Sequence, residues 1–203
     1  MRHLISALFL ITGIAGQAFL LGGPVLKAGF SRVKITPPAG TPMTGFGDRD
    51  LDPGGSRGVH DDLYARALYL SQGEEDILIM GFDLLFFSRD EADRFKGALG
   101  RVLGLSPDRI LLNTSHTHSG PKVGTWYYTP RDPLYLDFLE KAVLEAGRGA
   151  AGSRRDVTVL AGETTTRLPV SRRKILPDGT VEFAPTRKGI VYDKLPFVLF
   201  KDG

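Results

Sequence analysis

From Ala28 onward, runs of period-two and period-3.6 hydrophobicity follow one another and predict a mixed α/β order. Ala28 to Thr36 reads as a first strand, stopped by Pro37-Pro38. The Gly- and Asp-rich stretch Gly45 to Gly58 is too polar for a core and reads as a loop. Tyr64 to Leu70 and Ile77 to Phe82 predict two strands around a turn at Gln72-Gly73. Ser88-Arg89-Asp90-Glu91 has the form of a capping box. Phe95, Ala98, Leu99 and Val102 follow at helical spacing, giving an amphipathic helix that ends near Gly104. Arg109 to Leu112 is the next strand. Asp132-Pro133 supplies a cap and a first-turn proline for a second helix running to about Ala146, with Leu134, Phe138, Leu139 and Val143 as its apolar face. Asp156 to Leu160 and Leu195 to Phe200 predict further strands, with a hairpin turn at Leu176-Pro177-Asp178-Gly179-Thr180. The expected fold is α/β: a mixed sheet with a βαβ unit and flanking helices.

That order places the chemistry. The strand ending at Phe82, the helix and the strand ending at Leu112 form a βαβ unit, whose strands should be parallel. Ligands of such sheets gather beyond the carboxyl ends of the strands. There the chain reads Asn113-Thr114-Ser115-His116-Thr117-His118-Ser119-Gly120-Pro121. His116 and His118 are two apart, so on extended backbone they share a face and can address one spot. Neutral imidazole is a common zinc ligand, so the pair points to metal or catalytic chemistry. The bland alternative is two loop histidines bonded to backbone. Asp83 ends the other strand and is expected to orient a histidine, or else to cap a loop amide. His60, in a loop before a strand, is a further candidate, or simply surface. Trp126-Tyr127-Tyr128 could wall a substrate or be plain packing.

Composition narrows the classes. The 203 residues suit one domain with a sizeable core, at 42% hydrophobic and 24% charged. Net charge is only +3 and the basic residues are scattered, so a pI near 9.2 does not point to nucleic acid. Zero cysteines exclude a disulfide framework and a lipid-modified cysteine. Arg2 precedes an apolar stretch, Leu4 to Leu21, with the pattern of a secretory signal peptide, or of an uncleaved anchor. Residues 1–23 are therefore expected to be a signal or anchor and 24–203 the domain, exported to a secreted or periplasmic location.

Several strings together resemble a family. Ala28-Gly29-Phe30-Ser31-Arg32-Val33-Lys34-Ile35-Thr36-Pro37, Gly45-Phe46-Gly47, Gly58-Val59-His60 with Leu63-Tyr64-Ala65-Arg66-Ala67, and His116-Thr117-His118-Ser119-Gly120-Pro121 carry the match. They are similar to the N-terminal catalytic domain of neutral/alkaline, non-lysosomal ceramidases and their bacterial relatives. The resemblance implies a zinc-dependent amidase that splits ceramide into sphingosine and a fatty acid, in contact with a membrane surface. By that resemblance His116 is a zinc ligand and His118 stabilises the substrate carbonyl as it becomes tetrahedral. An arginine that binds the same oxygen maps to Arg172 first and Arg173 second. The family asparagine before it is replaced here by Ser171.

The family's other zinc ligands, a histidine, a glutamate and a tyrosine, lie beyond the matched region, and no histidine follows His118. The chain is therefore expected to be the N-terminal part of a larger enzyme, binding zinc weakly and hydrolysing little by itself. A secreted, non-catalytic binding domain and a related metallohydrolase acting on another amide are the alternatives. Amidohydrolase barrels carry His-x-His after their first strand, whereas several strands precede it here. The metallo-β-lactamase pattern is broken by Ser119-Gly120.

Overall fold

The computed structural model describes residues 25–47, 52, 54–125 and 131–202. The expected signal segment and Trp126-Tyr127-Tyr128 lie outside the described residues. Strands β1 (Lys27–Lys34), β3 (Tyr64–Gln72), β4 (Glu75–Phe82), β5 (Ile110–Thr114), β7 (Arg155–Thr165) and β10 (Lys194–Asp202) form one mixed six-stranded sheet in the order β10-β7-β1-β3-β4-β5. Two helices, α1 (Arg89–Leu103) and α2 (Pro133–Gly152), accompany it. Short strands β2 (Met43–Thr44), β6 (Gly120–Pro121), β8 (Lys174–Ile175) and β9 (Val181–Glu182) make two small ladders. The mixed α/β architecture is the one the hydrophobic pattern predicts.

The βαβ unit is present. β4 and β5 run parallel, from Leu78 opposite Ile110 to Phe82 opposite Thr114. The α1 start is capped as expected: the Glu91 carboxylate accepts from the Ser88 backbone N–H at 3.2 Å. At the other end Gly104 takes the left-handed conformation and its N–H donates to the Gly100 carbonyl. Asp132 caps α2 by accepting from the Leu134 N–H at 2.9 Å.

Two expectations for α2 need correction. The helix runs on to Gly152 rather than stopping near Ala146. Its late glycines are there for close approach: a Cβ on Gly147 would meet Leu99 at 2.6 Å, and one on Gly149 would meet the Ser31 hydroxyl at 2.6 Å. The buried face is also rotated. Tyr135, Leu139, Ala142, Val143, Ala146 and Ala150 are buried, whereas Leu134 and Phe138 are exposed. Tyr135 is drawn inward because its hydroxyl can donate to the Ile35 carbonyl at 2.8 Å while its ring stays in the core.

The core lies between the sheet and the two helices, and joins Ala65, Ala67 and Tyr69 of β3 with Leu78, Met80 and Phe82 of β4. Alternation sends their neighbours to the opposite face. There Phe30, Leu68, Ile79 and Leu111 sit side by side across four strands, with Phe30 60% and Leu111 55% exposed. The β7–β10 ribbon likewise leaves Leu160, Leu195, Phe197, Val198 and Leu199 exposed. Its outer edge is guarded. The Thr166 N–H bonds the Asp193 carbonyl, which sets the ladder's phase and turns the nitrogen of Pro196 to the open side, where no bond is lost.

Candidate active site

The histidine loop begins where β5 leaves the sheet. The Ser115 N–H donates to the Phe82 carbonyl at 2.9 Å, extending the parallel ladder by one step. His116 then takes φ +59°, the one left-handed non-glycine residue among those described. That conformation costs an L-residue about 1–2 kcal/mol, and such strain persists only where surrounding contacts over-determine it. Here the contact is visible: His116 Nδ1 lies 3.1 Å from the Leu85 carbonyl oxygen. A carbonyl only accepts, so Nδ1 carries the proton and Nε2 is the ring nitrogen left for the cleft.

The strain makes a specific stability prediction. His116→Gly and His116→Ala both lose the bond to Leu85, but only glycine relieves the positive φ. His116→Gly should therefore be the more stable of the two by about 1 kcal/mol in denaturant unfolding. Equal midpoints would remove the left-handed residue from the account.

The ring of His118 stands 5.2 Å from that of His116, centroid to centroid, in an edge-on arrangement. It is seated by the strand pair β2–β6, which joins Met43 to Pro121 and Thr44 to Gly120. This small ladder brings Gly45-Phe46-Gly47 against the histidine loop. Gly45 has φ +114°, and a Cβ there would fall 2.9 Å from the His118 side chain. Phe46 meets the His118 ring edge-on at 5.2 Å. Two strings that carried the family resemblance are thus in contact.

Both imidazoles line a cleft of about 440 Å³ whose other walls are Thr44, Gly45, Gly47, Leu85 and Phe86. It is largely apolar, with the two rings as its polar groups of functional interest. Such a pocket suits an apolar ligand presenting one reactive polar group. Leu85, Phe86 and the Gly45 turn were missed in the sequence. The Gly-Phe-Gly string was the available signal for the last of these.

Other expected residues are placed elsewhere. Asp83 does sit at the carboxyl end of β4, but its carboxylate accepts from the Tyr64 N–H at 3.0 Å and from Arg66 at 2.8 Å. The Leu85 carbonyl, not Asp83, holds His116. The guanidinium of Arg66 outcompetes a neutral ring for the carboxylate, as a charge-assisted bond should. His60 is solvent-exposed, bonded to Asp61 at 2.6 Å, and does not line the cleft. Arg172 and Arg173 both lie over the Phe183 ring, at 5.0 and 5.6 Å, and neither lines the cleft.

A catalytic zinc normally takes three protein ligands and keeps one position open. Among the described residues no three His, Cys, Asp or Glu side chains are grouped to hold a metal. His116 and His118 have the right donor chemistry, but the described residues alone do not complete a zinc site.

Comparison with known proteins agrees on the fold. The structure of neutral ceramidase from Pseudomonas aeruginosa superposes with a TM-score of 0.70 at 14% identity, over 88% of this chain and 30% of that one. A ceramidase complexed with C2 superposes with a TM-score of 0.72 at 15% identity, over 88% of this chain and 29% of that one. No sequence-family profile and no curated protein sequence matches. The chain has a ceramidase-like α/β fold. It spans less than a third of the length of these two neighbours.

Proposed function

We propose that this chain contributes the N-terminal part of the catalytic domain of an exported, zinc-dependent amide hydrolase acting on a lipid-like amide of the ceramide class. The observation that carries the reading is the pair of imidazoles 5.2 Å apart on an apolar cleft beyond the carboxyl ends of parallel strands. In this reading His116 offers Nε2 as one zinc ligand, and the remaining ligands come from chain outside the described residues. Bound zinc would supply Lewis acidity and lower the pKa of water to roughly 7. His118 faces the same cleft, where it would stabilise charge on the amide oxygen. By the family resemblance Arg172, or else Arg173, would be the arginine that assists it, although both lie over the Phe183 ring and outside the cleft. Leu85 and Phe86 offer apolar contact to an acyl or sphingoid chain. Such substrates reside in bilayers, so the cleft would work at a membrane surface. Residues 1–23 would serve as the export signal or anchor and 24–203 as the ceramidase-like part.

The test is fatty-acid release from an N-acyl sphingoid amide by the protein carrying this chain. Release should require zinc, stop with chelator and be absent in His116→Ala. Release that persists with chelator would contradict the proposal. Among the described residues the donor set does not reach a zinc site, and the second reading is an exported binding domain. Saturable binding of the amide with no zinc uptake and no release would select it.

A further inference from the structure

We propose that Thr114 is a positioning residue: its hydroxyl and His116 Nδ1 share the Leu85 carbonyl oxygen, and this clamp presents His116 Nε2 to the cleft. The Thr114 hydroxyl lies 3.1 Å from that oxygen, the same distance as Nδ1. A carbonyl oxygen has two lone pairs, and two donors fill them. Leu85 itself lies beyond β4, where no strand ladder fixes the direction of its carbonyl. Two things do so instead. The side chains of Leu84 and Leu85 are buried, and the Thr114 hydroxyl reaches across from the last residue of the neighbouring parallel strand. The left-handed turn at His116 then folds the imidazole back onto the same oxygen.

The arrangement has a defined consequence. Neutral imidazole has one donor and one acceptor nitrogen, and the free ring interchanges them. Donation to a fixed carbonyl locks the proton on Nδ1, so Nε2 presents its lone pair to the cleft. Backbone carbonyls often perform this service for metal-binding histidines, and disturbing such outer contacts typically lowers metal affinity about 10- to 100-fold. The use of Nε2 as a ligand rests on the amide-hydrolase reading; the clamp does not.

The experiment is ¹⁵N–¹H long-range correlation NMR of the metal-free protein at a pH where His116 is neutral. Wild type should show protonated Nδ1 and unprotonated Nε2 as a single species. Thr114→Val keeps the branched shape and removes the donor, so it should lose the single-species signature and give a mixture of tautomers. Thr114→Ser should restore the wild-type spectrum, a rescue that bulk packing would not produce. Thr114→Ala, also without the hydroxyl, replaces the valine variant if that variant does not fold. Wild-type Nε2–H, or an unchanged tautomer without the hydroxyl, would overturn the proposal. Zinc titrated into the same samples separates the two claims. Locked Nδ1–H with no zinc shift at Nε2 leaves the clamp standing and removes the ligand role.

Discussion

Under the proposed amide-hydrolase function, His118→Ala is expected to retain zinc and to lower kcat by about 10²- to 10³-fold. That range is the usual cost of removing one donor from the site of a developing oxyanion, about 2.7–4 kcal/mol. The structural warrant is the seating of the ring. His118 is held between the Gly45 turn and the edge of Phe46, and it borders the cleft beside His116. A preorganised donor of this kind stabilises charge without rearranging during the reaction. His116→Ala should instead abolish high-affinity zinc binding, so turnover falls with metal content. Metal analysis alongside kcat separates the two variants. Zinc lost equally from both would make His118 a ligand rather than an oxyanion donor, and zinc retained by both would remove His116 as a ligand.

Gly29→Ala is expected to destabilise the fold by about 3 kcal/mol, the upper end of the usual cost of overpacking. Gly29 lies in β1 opposite Tyr69, where the end of α2 crosses the strand. A Cβ there would overlap the Ala150 carbonyl oxygen and fall 2.9 Å from the Arg154 backbone nitrogen. Both obstacles are backbone, so neither can swing aside as a side chain would. The Ser153 hydroxyl further ties this helix end to β1, accepting from the Phe30 N–H and donating to the Phe30 carbonyl, each at 3.1 Å. Gly81→Ala is the control, because nothing lies within 4 Å of a Cβ at that strand position. Urea unfolding should show a large fall in midpoint for Gly29→Ala at unchanged slope, with Gly81→Ala within about 0.5 kcal/mol of wild type. Similar midpoints for both would show that the helix and strand are less tightly apposed than described here.

Most of the fold was legible because its signals are local. The Ser88–Glu91 cap, the left-handed Gly104 stop, the Asp132-Pro133 start and the Asp178-Gly179 turn each act within a few residues. Where the reading went astray, a distant partner decided the outcome. Gly147 and Gly149 look like helix breakers until Leu99 and Ser31 are seen pressed against them. Leu134 and Phe138 satisfy the helical period, but the hydroxyl of Tyr135 finds an acceptor in Ile35 and turns the helix to bury that ring instead.

The site shows the same division. His116 and His118 were legible from their spacing and from the βαβ order around them. The bland alternative of a histidine bonded to backbone also describes His116 in part, since Nδ1 faces the Leu85 carbonyl. That acceptor was invisible in the sequence because every residue carries a carbonyl. Asp83 was placed at the correct strand end, but Arg66, seventeen positions earlier, takes its carboxylate. The role of Gly45 depends on β2 pairing with β6, a two-residue ladder between segments with β3, β4, α1 and β5 between them, which no periodicity signals.

The most direct test is a zinc-edge anomalous diffraction map of the protein carrying this chain. A zinc peak in the cleft about 2.0–2.1 Å from His116 Nε2, with Nδ1 still on the Leu85 carbonyl, is the predicted result. A cleft without zinc, or zinc held through Nδ1 with the Leu85 contact broken, would contradict the account.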